Sequence, residues 1–138
     1  MYEIFSYNRV KERLFRESYS WERVFNVIEK VITVSEIMLI YPKNLYKNDF
    51  ESVIIYFFCK TCIYYMSSLT NGRNFEIIAL KPDTVSKFKL ENTEHDSVIL
   101  TFCIGNDEII LSSKDDTSEY HSYKYAEALL EIVKIYTT

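Results

Sequence analysis

The spacing of hydrophobic residues changes twice along the chain, and each change indicates a different kind of element. Near the N-terminus, Tyr7, Val10 and Leu14 recur at helical spacing and predict a first helix. Ser20 is a favourable N-cap residue, so we expect it to begin a second helix. That second helix has a continuous apolar stripe, formed by Trp21, Val24, Phe25, Ile28 and Ile32.

From about residue 36, short apolar runs separated by turn residues replace the helical spacing. The runs are rich in β-branched and aromatic residues, which favour strands. Their connections are too short for crossover helices, so we expect antiparallel hairpins. The pattern predicts up to seven strands, at 37–41, 53–58, 62–66, 75–80, 85–90, 98–104 and 108–111.

Helical spacing returns at the C-terminus, where Asp116 or Thr117 can cap a closing helix. The fold class is therefore α+β: N-terminal helices, then an antiparallel sheet or partly open barrel, then a C-terminal helix. We expect a single domain, 1–138, in which a helical extension, 1–34, packs on a core, 35–138. The predicted apolar stripe of the closing helix contains Tyr123, Ala126, Leu130 and Val133, widened by Leu129 and Ile132.

The run 53–58 is apolar at every position and does not alternate. An antiparallel strand with one face in water should alternate, so this strand needs cover on both sides. One side would face the interior of the sheet or barrel. For the other side we expect Trp21, Phe25 and Ile28 of the second helix, with a partner subunit as the alternative.

Seven short strands in hairpins followed by one amphipathic helix resemble a bacterial pleckstrin-homology-like (PH-like) domain. The resemblance covers roughly residues 36–136 and leaves the N-terminal helices as an extension. It is a similarity of element order, and no signature motif carries it. The segments that show it are the hairpin 52–67, the run 75–90, the hairpin 98–111 and the helix 119–136.

Two departures separate the chain from lipid-binding members of that family. Such members carry clustered basic residues on the first hairpin and often a Trp in the closing helix. Here the only Trp is Trp21, in the N-terminal part of the chain. The resemblance therefore implies a fold without implying phosphoinositide binding. The basic residues near the first hairpin are Lys43, Lys47 and Lys60, with Asp49 and Glu51 among them.

Charge is distributed unevenly along the 138 residues, whose formal net charge is −4. Residues 49–138 contain fourteen acidic and eight basic side chains. Such a surface repels nucleic acid and anionic lipid, so we expect a basic or neutral protein partner, no nucleic acid and no membrane. A homodimer is also compatible with the sequence. The candidate partner-binding residues are Glu91, Glu94, Asp96, Asp107, Glu108, Asp115 and Asp116.

One motif has a chemical name, Cys59-Lys60-Thr61-Cys62. A CxxC pair can supply half of a zinc site or form a redox dithiol. The sequence contains no second pair, and Cys103, His95 and His121 are isolated from it. We therefore interpret the motif as two small core or turn thiols, and we expect no metal and no cofactor.

No other residue predicts catalysis. His95 and His121 lack a neighbouring nucleophile and are expected at the surface. The acidic pairs 107–108 and 115–116 lack calcium-loop spacing, and two glycines are too few for a phosphate loop. The first helix has a basic face that acidic residues interrupt, which is typical of a solvated helix. That face consists of Arg9, Lys11, Arg13 and Arg16, interrupted by Glu12 and Glu17.

The sequence therefore favours a binding or regulatory module that acts through protein contacts, and not an enzyme. The alternative is a stoichiometric inhibitor, an antitoxin or immunity protein that masks a basic toxin. The N-terminal residues show no secretory signal, and the longest apolar run, 53–59, is too short to span a bilayer. With three cysteines, an odd number, we expect a reduced, cytoplasmic setting.

Overall fold

A computed structural model describes residues 5–47, 52–68, 74–93, 95 and 97–137. It confirms the α+β class and all seven predicted strands, each bounded within two residues of its expected ends. The helices are α1 (Tyr7–Glu17), α2 (Ser20–Val31) and α3 (Ser122–Thr137). The strands are β1 (Ile37–Lys43), β2 (Ile54–Cys59), β3 (Ile63–Ser68), β4 (Phe75–Leu80), β5 (Val85–Asn92), β6 (Val98–Ile104) and β7 (Asp107–Ser112).

The strands form two antiparallel sheets in which every hydrogen-bonded neighbour is also the neighbour in sequence. Sheet A has the order β1-β2-β3-β4, and sheet B has the order β5-β6-β7. This simple order follows from the short connections, because a tight turn can join only adjacent antiparallel strands. In the turn between β6 and β7, Gly105 has φ +60°, a conformation that a side chain would strain.

Sheet A has an apolar layer on each of its two faces. On one face, Trp21, Phe25 and Ile28 of α2 share a buried cluster with Ile55 and Phe57 of β2. The expectation that these three residues cover the outer side of β2 is thus confirmed. The opposite face contributes to a second cluster, which also contains residues of sheet B and α3. That cluster includes Leu39, Tyr41, Tyr56, Phe58, Leu100, Phe102, Tyr125 and Leu129.

Two expected helix caps are wrong. Ser20 is the first residue of α2, and Tyr19 occupies its N-cap position. The capping side chain lies before α1, where Ser6 Oγ accepts a hydrogen bond from Arg9 N at 3.3 Å. Neither Asp116 nor Thr117 caps α3, because both are buried and a 3-10 turn, Glu119–His121, comes between them and the helix.

The apolar stripe predicted for α3 is confirmed in part. Ala126, Leu129 and Ile132 are buried as expected, and Val133 packs against the core. Tyr123 and Leu130 are 57% and 39% exposed, so they lie on the outer side of the helix. Two residues outside the prediction, Tyr125 and Ala128, complete the buried side, where positions 125, 128, 129 and 132 follow the i, i+3, i+4, i+7 spacing.

β1 continues past its expected end at Tyr41 and includes Pro42. Proline cannot donate a hydrogen bond, and β1 is an edge strand, where that loss is tolerated. The carbonyl of Pro42 accepts a hydrogen bond from Tyr125 Oη at 2.6 Å, which attaches α3 to this edge. No helix among the described residues is long and apolar enough to cross a membrane.

Candidate functional site

The acidic residues that the sequence marks as partner-binding do not form one surface. Glu91 and Glu108 lie on the outer face of sheet B, and Asp107 lies at the start of β7. Asp115 is exposed in the loop after β7, whereas Asp116 is buried. Glu94 and Asp96 lie outside the described residues. The described acidic residues therefore do not form a continuous acidic patch.

Asp116 is a structural residue, which corrects its assignment to a partner surface. Only 2% of the residue is exposed. Its Oδ2 accepts hydrogen bonds from Tyr41 Oη at 2.6 Å and from Ser112 N at 2.7 Å. Lys43 Nζ lies 3.6 Å from Oδ1. The side chain thus connects β1 to the end of β7 from inside the core and is closed to a partner.

The electrostatics of Asp116 reflect this burial. Desolvation raises the pKa of the carboxyl, because a buried charge loses its hydration. The hydrogen bond from Tyr41 and the charge of Lys43 act in the opposite direction and favour the ionised form. Tyr41 responds in turn, since burial and the Asp116 charge raise the pKa of its hydroxyl well above the ordinary value.

Lys43 and Lys47, the basic residues nearest the first hairpin, also stabilise this junction. Lys43 Nζ donates to the carbonyl oxygen of Ile110 at 3.2 Å, and Lys47 Nζ donates to that of Asp115 at 2.8 Å. Asn44, with φ 69°, donates its backbone N–H to Asp116 O at 2.7 Å. The two lysines thus contact the loop after β7 and do not form a cluster directed at solvent.

The outer face of sheet B, on the side away from the core, is the candidate binding face. Strand register arranges its side chains in rows across the sheet: Lys87, Cys103 and Glu108 form one row, because Cys103 pairs with both of the others. These side chains line a shallow depression of about 420 Å³. We call them the outer face: Lys87, Lys89, Glu91, Ile99, Thr101, Cys103, Glu108 and Ile110.

The centre of the outer face is apolar or weakly polar, and its two edges are charged. Ile99, Thr101 and Cys103 are half-buried on β6, and Ile110 on β7 is 48% exposed. On β5, Lys89 Nζ lies 2.8 Å from Glu91 Oε1, a pair that raises the pKa of the lysine. No described element covers this face. An apolar centre with a charged rim is the usual anatomy of a protein interface.

This face was not predicted from the sequence, although the pattern of β6 contains a signal for it. β6 is apolar on both sides, like β2, because Ile99 and Cys103 alternate with Val98, Leu100 and Phe102. In β2 the additional apolar side is covered by α2. In β6 the corresponding side remains open among the described residues.

The cysteine pair flanks the turn between β2 and β3. Cys59 N donates to Cys62 O at 3.0 Å, as expected for residues on either side of a tight hairpin turn. Cys59 is buried, and burial raises the pKa of its thiol to about 11. At neutral pH the thiol is therefore protonated and a poor nucleophile. Its burial agrees with the interpretation as a core thiol.

The two histidines occupy different environments. His95 is exposed, as expected. The expected surface location of His121 is wrong: this residue is half-buried, and its ring centroid lies 4.4 Å from that of Tyr46. Burial and the nearby Lys124 lower the pKa of His121. Among the described residues, no group of three or more His, Cys, Asp or Glu side chains could hold a metal ion.

The basic face of α1 forms ion pairs within the layer that α1 and α2 make up. Lys11 Nζ lies 2.7 Å from Glu29 Oε1 of α2, and Arg13 pairs with Glu17 at 2.5 Å. Tyr7 Oη donates to the same Glu29 oxygen at 2.6 Å. The contacts of Lys11 and Tyr7 with Glu29 join the two helices, whereas Arg13 and Glu17 pair within α1. Both kinds of contact agree with a solvated face.

Comparison with known proteins gives a family and no function. No curated protein and no solved structure matches the chain. A family model described as "Protein of unknown function (DUF3908)" matches residues 5–127, which include α1, α2, both sheets and the beginning of α3. Since this match covers most of the sequence, the chain belongs to the DUF3908 family.

Proposed function

We propose that this protein is a small binding or regulatory module that acts through protein contacts at the outer face of sheet B. The observation that supports the proposal is a three-stranded face that no described residue range covers, with Ile99, Cys103 and Ile110 at its centre and charged residues at its rim. Apolar side chains held on a rigid sheet lose little conformational entropy on binding, which favours association.

We also propose that residues 36–136 form a PH-like core to which α1 and α2 are added. Sheets of four and three strands with sequential hairpin order, followed by α3, support this assignment. A fold does not determine a function, so the assignment is compatible with a partner at the outer face. It does not require a lipid ligand, because Lys43 and Lys47 contact backbone carbonyls within the chain.

The module acts in the cytoplasm and without catalysis. Three free cysteines support a reducing compartment. Burial raises the pKa of Cys59 and lowers that of His121, which supports a structural role for both groups. The outer face itself presents two lysines and two glutamates, which suit a polar rim better than acid–base chemistry.

Site-directed photo-crosslinking tests the binding face. A photoreactive amino acid replaces Ile110 on the outer face, or exposed Asn26 on α2 as the control, in the native cell. We expect one defined protein adduct from Ile110 and none from Asn26. The captured protein is then identified and reconstituted with the purified chain, and Ile110→Arg should abolish that complex. Equal capture from both positions, or none from either, would contradict the proposal.

A stoichiometric inhibitor is the second candidate, and the outer side of α3 favours it. Tyr120 and Tyr123 are 76% and 57% exposed, and Glu127 and Leu130 lie on the same exposed side. Lys124 Nζ lies 5.8 Å from the ring centroid of each tyrosine, so the negative charge on this side comes from Glu119 and Glu127. Exposed tyrosines with acidic residues nearby are suited to binding a basic protein. An inhibitor gene should lie next to the gene of its target, and the two purified proteins should form a 1:1 complex that Tyr123→Ala weakens.

A further inference from the structure

We propose that the partner of the outer face is a second copy of the same chain, related by a twofold axis that runs along β6. The inference rests on the function proposed for this face and adds the identity of the occupant. Its basis is the arrangement of charge across the strands of sheet B, which is complementary to itself under that rotation.

Strand register fixes the charge arrangement. Lys87 on β5 and Glu108 on β7 lie at opposite ends of one row, with Cys103 between them. A rotation of 180° about an axis parallel to β6, in the plane of the interface, places β5 of one copy over β7 of the other. Lys87 then faces Glu108 of the partner subunit, and by symmetry the same ion pair forms a second time.

Two of the three outer-face residues on the axis, Thr101 and Cys103, are small, and the third is Ile99. Each would meet the same residue of the second copy, and packed sheets lie about 10 Å apart. The next row places the aliphatic stem of Lys89 over Ile110 of the partner subunit. Apolar contacts thus lie at the centre and ion pairs at the rim.

The other in-plane axis, perpendicular to the strands, fits less well. It would pair Lys87 with Glu91 of the partner subunit, but it would also place Lys89 over Lys89 of the partner subunit. Either axis leaves one carboxylate opposite Ser112: Glu108 with this axis and Glu91 with the parallel one. The like-charge contact alone disfavours the perpendicular arrangement. The parallel axis is therefore the one that the charge pattern supports.

The dimensions of the face predict a weak dimer. Three strands with a length of six residues give a contact of about 14 Å by about 20 Å at ordinary strand spacings. Two such faces have about 560 Å² of flat area in total, which is small beside the roughly 1,200–2,000 Å² that standard specific interfaces bury. We therefore expect a reversible dimer with a Kd on the order of 10–100 µM.

Sedimentation equilibrium of the purified full chain, across this concentration range, tests the proposal with charge exchanges. Lys87→Glu and Glu108→Lys should each weaken the dimer at least about tenfold, because each creates two like-charge contacts. The double variant, with both exchanges, should restore it. Lys60→Glu and Glu22→Lys change the net charge equally at exposed positions off the face and should have no effect.

Thiol crosslinking reports the position of the axis independently. Facing Cys103 residues would lie about 10 Å apart, beyond the reach of a disulfide but within that of a short bis-maleimide. We expect a covalent dimer from the wild-type chain that is lost in Cys103→Ser. A variant with Ser at positions 59 and 62 should still crosslink.

A chain that stays monomeric at every concentration, or a double variant that remains as weak as the single variants, would overturn the proposed dimer. The photo-crosslinking experiment separates this outcome from failure of the binding face itself. An adduct between Ile110 and a different protein would leave the proposed function intact and refute only the self-association. The absence of any adduct would contradict both.

Discussion

The hydrogen bond between Tyr41 and Asp116 provides the sharpest test of how the core is held together. Tyr41→Phe keeps the ring and removes only the hydroxyl, which lies 2.6 Å from Asp116 Oδ2. Tyr41 is 0% exposed, so water cannot replace the lost donor. A hydrogen bond to a charged group contributes about 1.5–3 kcal/mol, and we expect the free energy of unfolding to fall by about 2 kcal/mol at neutral pH.

The pH dependence of this loss has a definite sign. Burial raises the folded-state pKa of Asp116 above its ordinary value of 3.8. The stabilisation that comes from protonated Asp116 is therefore fully present below pH 3.8. The free energy of unfolding falls as the pH rises through the folded-state pKa, because the buried carboxyl must then ionise. The hydrogen bond from Tyr41 lowers that pKa, so Tyr41→Phe raises it further and increases the loss at neutral pH. Below pH 3.8, the two chains should differ less.

Urea unfolding followed by the fluorescence of Trp21, the only tryptophan, measures these differences. Tyr19→Phe is the matched control, because Tyr19 is 91% exposed and should tolerate the change. In an Asp116→Asn background, Tyr41→Phe should cost less than about 1 kcal/mol, as expected for a neutral hydrogen bond. A cost that is equal in both backgrounds and at both pH values would refute the reasoning.

Three further predictions concern the helical layer, the thiols and lipid. Trp21→Ala should lower the free energy of unfolding, measured by urea titration, by about 3–5 kcal/mol, because the residue is only 6% exposed. A chain lacking residues 1–34 should self-associate in sedimentation through the uncovered face of sheet A. A truncated chain that is monomeric and folds cooperatively would show that the helices are detachable. Protein purified without chelator should contain no stoichiometric zinc, and replacing Cys59 and Cys62 with Ala should lower the free energy of unfolding by only about 1–3 kcal/mol. One zinc ion per chain, absent from the double variant, would disprove this. Vesicles containing phosphoinositides should not bind the chain at physiological salt, because the first hairpin lacks a basic cluster; saturable binding in a flotation assay would contradict this.

The strands could be predicted because their information is local. Runs such as 75–80 and 98–104 combine β-branched residues with turn residues at their ends, and each strand pairs with its sequence neighbour. The two-sided layer on β2 could also be predicted, since an apolar strand that does not alternate must be covered twice. In both cases the pattern that predicts the structure is contained within the few residues of the strand itself.

The assignments that failed depend on distant partners. Asp116 has acidic neighbours in sequence and therefore suggested an exposed acidic surface, but its hydrogen-bond partner Tyr41 is 75 positions away. The buried side of α3 also contains Ala128, a small residue that indicates burial only weakly in a sequence. Tyr123 fits a helical stripe equally well, yet it is exposed. Helical spacing alone cannot choose between neighbouring stripes.

The sequential order of the two sheets has a consequence for folding kinetics. Each hairpin closes a short loop and can form early, because loop closure costs little entropy over a few residues. The hydrogen bonds from Tyr41 to Asp116 and from Tyr125 to Pro42 span 75 and 83 residues, so they close much longer loops than the hairpins do. If these bonds form after the rate-limiting barrier, Tyr41→Phe leaves the folding rate almost unchanged and accelerates unfolding. The junction between β1 and α3 would then determine how long a folded molecule persists, while the hairpins determine how quickly it folds.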